Sequence, residues 1–86
     1  MPEWGTWKVA LAFLMITAEI GKEGEVLNEL KKIEQVKEAS LAYGVYDIVA
    51  KVEAETWEKL EEVITSKVRR VNSVRSTLTM MVVEGK

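Results

Sequence analysis

An α+β domain of β-α-β-β-α-β connectivity, the ferredoxin-like split motif, is what this sequence predicts. Three observations carry the expectation. Four apolar stretches are short enough to be strands, two stretches between them repeat apolar residues at helical spacing, and a glycine-bearing turn separates the second strand from the third. Such a chain folds as one four-stranded antiparallel sheet with both helices on one face. With 86 residues there is room for a single domain, residues 1-86.

Trp7 to Ala18 is expected as the first strand, with Trp7, Val9, Leu11, Phe13 and Met15 on one face and Ala10, Ala12, Leu14 and Ile16 on the other. Gly21 to Gly24 punctuate the chain. Val26, Leu27, Leu30 and Ile33 then recur at helical spacing among polar residues and predict a short amphipathic helix. Val36 to Tyr43 and Tyr46 to Ala54 are expected as a hairpin closed by Gly44-Val45, where glycine can take a positive φ. Thr56 is a plausible N-cap for a second helix with a core stripe of Trp57, Leu60, Ile64, Val68 and Val71. Its Glu58, Glu61 and Glu62 lie toward the positive end of the helix dipole, and Lys67, Arg69 and Arg70 lie toward the negative end. Asn72 and Ser73 break that helix, and Val74 to Glu84 is the last strand.

Composition removes several function classes. The chain has neither Cys nor His, which excludes thiol nucleophiles, imidazole acid-base chemistry and the usual zinc ligand sets. No cofactor and no metal is expected. The net charge is -2 and no basic run is longer than a pair such as Arg69-Arg70, so the field a nucleic-acid binder needs is missing and direct DNA binding is not expected. Val9 to Ala18 is about half the ~20 apolar residues that span a bilayer and has little positive charge before it, so no membrane association is expected. The lack of Cys is consistent with the cytoplasm. Few Asn and Gln beside many Glu and Lys lean toward a thermophile.

The hydrophobic fraction, 48%, is generous for so small a core. Both faces of the first strand are apolar, and the last strand alternates Val74, Ser76, Leu78, Met80 and Val82 with Arg75, Thr77, Thr79, Met81 and Val83. A one-sided antiparallel sheet would show a polar outer face. Five or so side chains per subunit at ~1.5–3 kcal/mol each give a gross drive of roughly 15–30 kcal/mol per dimer before entropy is charged. A homodimer packed sheet to sheet is therefore expected, with Met80 and Met81 as adaptable fillers.

The candidate ligand-binding residues are Gly44, Tyr46 and Asp47 in the hairpin and Ser76, Thr77 and Thr79 in the last strand. A carboxylate at the lip of a buried strand must meet backbone donors or a cationic ligand. A zwitterionic amino acid needs acceptors around its ammonium and donors around its carboxylate. Asp47 or hairpin carbonyls suit the first; hairpin amides and the three hydroxyls suit the second. Blander readings stand beside these: Asp47 as a turn former, Gly44 as hairpin geometry, the hydroxyls as ordinary strand residues, and Arg69-Arg70 as a solvated helix end.

Gly44-Val45-Tyr46-Asp47 leading into Ile48-Val49-Ala50-Lys51-Val52, with Val74-Arg75-Ser76-Thr77-Leu78-Thr79 and Val36-Lys37-Glu38-Ala39, resembles the effector-binding (RAM) domain of the Lrp/AsnC transcriptional regulators. The resemblance runs from about Val9 to Val83. It implies the same fold, dimers through the sheets, rings such as an octamer (a tetramer of dimers), and a small amino acid effector bound between dimers near Gly44, Tyr46 and Asp47, with the hydroxyls of Ser76, Thr77 and Thr79 nearby. Full-length members carry an N-terminal helix-turn-helix, for which this chain has no room before its first strand. It therefore looks like a stand-alone, non-catalytic domain, with a full-length Lrp/AsnC regulator as a possible partner. The alternative on the same fold is a small dimeric α/β-barrel enzyme of monooxygenase or isomerase type, which would have only carboxylates, Lys, Tyr and Arg to work with.

Overall fold

The computed structural model describes residues 10–82. Trp4, Trp7 and Val9, and Val83 and Glu84 at the other end, lie outside the described residues. Strand β1 (Ala10–Ala18) alternates strictly, so Ala10, Ala12, Leu14, Ile16 and Ala18 are buried while Leu11, Phe13, Met15 and Thr17 line the other face. Gly21 turns the chain with φ +84. Helix α1 (Glu23–Lys31) follows, and its Val26 and Leu30 are fully buried with Leu27 and Ile33 packed against them. Gly24, read as part of a turn, lies in the first turn of this helix.

Strands β2 (Val36–Leu41) and β3 (Ile48–Ala54) are shorter than the sequence pattern suggests. Six residues, not two, connect them. The ladder ends early because Asp47 donates its backbone N–H to Ile16 on β1 and accepts from Ala42, which closes a wide loop in place of a tight hairpin. A register shift between Val36 and Glu38 kinks β2.

Helix α2 (Trp57–Val63) is capped as the sequence predicts, the Thr56 hydroxyl accepting from the Lys59 N–H at 3.1 Å. It continues into a π-helical turn, Ile64–Val68, in which the Arg69 N–H reaches back five residues to the Ile64 carbonyl. Leu60, Val63, Ile64 and Val68 form the buried stripe. Trp57, expected in that stripe, is 42% exposed, because it is the first helical residue and β3 has already ended at Ala54. Val63 takes the inward position. Ser73, with φ +76, turns the chain into β4 (Val74–Met81).

The sheet order is β2-β3-β1-β4 with every neighbour antiparallel, the ferredoxin-like arrangement. The core lies between one sheet face and the helices, around Leu14, Ile16, Leu30, Ile48 and Leu60. The register puts Phe13, Met15, Val49, Leu78 and Met80 together on the opposite face. Met81 pairs with Ala12 and belongs to the helix side, so Met80 and Met81 do not fill one surface. Leu14→Ala is expected to cost about 2–5 kcal/mol in urea unfolding, since it empties a fully buried site. Trp57→Ala should cost clearly less, despite the larger side chain.

Candidate functional site

Most of the candidate residues gather at the end of the sheet where β1 finishes and β3 and β4 begin. There Ile16 pairs with Ile48 on one side and Thr77 on the other, Thr17 pairs with Ser76, and Ala18 pairs with Val74 across a bulge. Beyond Ile48 no backbone of β3 is left to meet β1. The Asp47 side chain replaces it: Oδ2 accepts the Ala18 N–H at 2.8 Å, while the Asp47 N–H donates to the Ile16 carbonyl at 2.9 Å. The carboxylate thus extends the ladder by one rung and finds the backbone donor that its position requires. Oδ1 makes no hydrogen bond to the described residues.

Gly44 sits in this loop with φ +124, a conformation that strains any side chain, and the space where a Cβ would stand is open. Tyr46 is half-buried. Tyr43 and Val45 stand out into solvent, and Leu41 before the loop and Ile20 after β1 are exposed at the same end of the sheet.

The six candidates do not form one constellation in a single protomer. Ser76 lies on the outer face, its Oγ 2.5 Å from Thr17 Oγ1, whereas Thr77 and Thr79 pair with Ile16 and Leu14 on the helix side. Asp47 and Ser76 flank β1, about 10 Å apart by two strand spacings. Thr79 lies three residues further along, another ~10 Å. Two residues join the site that the sequence reading missed. Thr17 is the single hydroxyl in an otherwise apolar strand, a signal that was available. Arg69 donates from Nε to Thr77 Oγ1 at 3.4 Å, and the π-helical turn that delivers it has no sequence signature. Among the described residues no group of three acidic side chains is close enough to hold a metal.

A βαββαβ fold does not by itself fix a function, and the class of protein comes from comparison with known ones. The sequence pattern of the Lrp/AsnC ligand binding domain matches residues 11–85, and the chain belongs to that family. An uncharacterised HTH-type transcriptional regulator of Pyrococcus abyssi is 32% identical over 76 residues, 88% of this chain and 48% of that protein. The chain thus spans about half the length of the curated relatives it matches. The crystal structure of the hypothetical protein PHS023 from Pyrococcus horikoshii is 37% identical, with a TM-score of 0.82 over 88% of this chain and 92% of that one. A transcriptional regulator of Neisseria meningitidis, solved as a complex with L-Met, shares the fold at 10% identity, with a TM-score of 0.79 over 98% of this chain and 56% of that one.

Asp47→Ala leaves the Ala18 N–H without its partner and is expected to destabilise by about 1–3 kcal/mol. Asp47→Asn keeps an acceptor oxygen and should cost less. Urea unfolding, with hydrogen exchange at the Ala18 amide, separates the two.

Proposed function

We propose that this domain is a non-catalytic module that binds a free amino acid at the sheet end and assembles through its outer sheet face. The observation that carries this reading is the open sheet end. Asp47, whose Oδ1 makes no hydrogen bond to the described residues, and the Thr17–Ser76 hydroxyl pair lie at the sheet end near which Ile20, Leu41, Tyr43 and Val45 are exposed. Exposed apolar side chains around polar groups are the mark of a surface that closes against another chain. Gly44, Tyr46, Asp47 and Ser76 are near enough to share such a ligand, whereas Thr77 and Thr79 serve it only from a neighbouring copy or along the β4 edge.

The outer face supports assembly. Val49 is 38% exposed, Leu78 45% and Met80 51%, around the central Phe13 and Met15. They are partly covered already, so burying them yields roughly half the ~1.5–3 kcal/mol of a fully exposed side chain, a gain of the same order as the cost of bringing two chains together. Lys51 and Glu53, paired at 3.7 Å, lie on the same face and limit how apolar the contact is. Dimers then join at the sheet ends, as rings or with a full-length Lrp/AsnC regulator in the cytoplasm, and the effector alters that association. Leu14, Ile16, Leu30, Ile48 and Leu60 fill the space between sheet and helices, which favours binding over an internal catalytic pocket.

A thermal-shift screen against the twenty amino acids tests the reading. An effector at a hundredfold excess over Kd should add about 2.7 kcal/mol of stability, and silence from all twenty at millimolar concentration contradicts it. Leu78→Glu should shift the chain to monomers in light scattering with its circular dichroism unchanged.

A further inference from the structure

The start of β4 carries a charge pattern that the amino-acid reading does not use. A shallow depression of about 310 Å³ lies between the end of the α2 helical segment and β4, lined by Arg69, Val74, Arg75, Ser76 and Thr77. Arg69 and Arg75 line it together with Thr77, whose hydroxyl Arg69 already meets, and no carboxylate lines it. In a chain of net charge -2 that concentration of positive charge is local and unneutralised. Each ion pair among the described residues is made by a lysine: Lys22 with Glu25, Lys32 with Glu29, and Lys51 with Glu53. Arg69 and Arg75 pair with no acid among those residues.

Two features of the backbone aim this site. The π-helical turn Ile64–Val68 inserts a wider turn just before Arg69, and the side chain reaches across to Thr77. Arg69 spends one N–H on that hydroxyl and keeps the fork of its terminal nitrogens for a planar anion. β4 is an edge strand, so alternate backbone N–H groups along Val74 to Thr77 point outward beside the arginines. The guanidinium forks, the Thr77 hydroxyl and the outward amides are donors beside the carbonyls of the same edge, and the two positive charges favour a carboxylate over a neutral amide of similar shape.

We propose that this depression binds the carboxylate of an acidic amino acid, so that the domain's effector is aspartate-like or glutamate-like. The inference rests on the amino-acid reading above and names the class within it. Arg69 and Arg75 hold the side-chain carboxylate, with the Thr77 hydroxyl donating to one of its oxygens.

Calorimetric titration of the full chain with aspartate, asparagine, glutamate, glutamine and inorganic phosphate tests it. The expected result is that one acidic amino acid binds at least tenfold more tightly than its amide, and that the preference weakens as salt is raised. Arg69→Gln with Arg75→Gln should abolish that preference, while Arg70→Gln, outside the depression, leaves it intact. Circular dichroism verifies the fold, and Arg75→Gln alone is read if the double variant unfolds. Equal binding of acid and amide, or acid binding unmoved by the arginine variants, overturns the inference and leaves the amino-acid reading standing. Phosphate binding as tight as the acid's marks a general anion site and overturns the assignment. No response to any of the twenty amino acids overturns both readings.

Discussion

Strand β1 is hydrogen-bonded along both edges and apolar on both faces, and the rest of the domain is arranged around that fact. Its alternation divides the strand between two environments. Ala10, Ala12, Leu14, Ile16 and Ala18 meet the helices, while Leu11, Phe13 and Met15 form the middle of a face that the helices never reach. Small alanines on the inner side let the sheet approach α1 and α2 closely, and Leu30, Leu60 and Val68 fill the remaining space. Among the described residues the outer side has no such cover. One strand therefore both stabilises the fold and supplies the middle of the face through which we propose that the chain assembles.

The same strand sets the candidate site. β1 runs two residues past the point where β3 can pair with it, and Asp47 bridges the gap with its side chain. The bulge at Thr17/Ala18 tightens the opposite edge, so that Thr17 and Ser76 meet on the outer face. A carboxylate that completes a ladder is held rigidly, and rigidity is what a recognition group needs. Its structural duty and a binding role are thus compatible, each using a different oxygen. Belonging to the Lrp/AsnC ligand-binding family supplies the class of function, whereas the ligand's identity has to come from the groups at the sheet end.

Element order, the Thr56 cap and the two-faced character of β1 were legible in the sequence because they rest on period and on local chemistry. The boundaries of β2 and β3 were not, since a glycine-tyrosine-aspartate turn reads as a tight hairpin until the Asp47 side chain is seen to be engaged elsewhere. Trp57 was misplaced because helical spacing says which face a residue shares but not whether the core extends that far. The candidate hydroxyls were grouped by proximity in sequence, and strand alternation then sends Ser76 to one face and Thr77 and Thr79 to the other. Arg69 reads in the sequence as a solvated helix end because the π-helical turn that redirects it toward Thr77 leaves no mark in the pattern of apolar residues.

The claim on which this account turns is that the face centred on Phe13, Met15, Leu78 and Met80 is covered by a second copy of the chain. Sedimentation equilibrium of the unmodified protein across nanomolar to micromolar concentrations measures it most directly. The account predicts a mass of two chains or a higher even multiple at micromolar concentration. A single well-folded protomer throughout that range would contradict it.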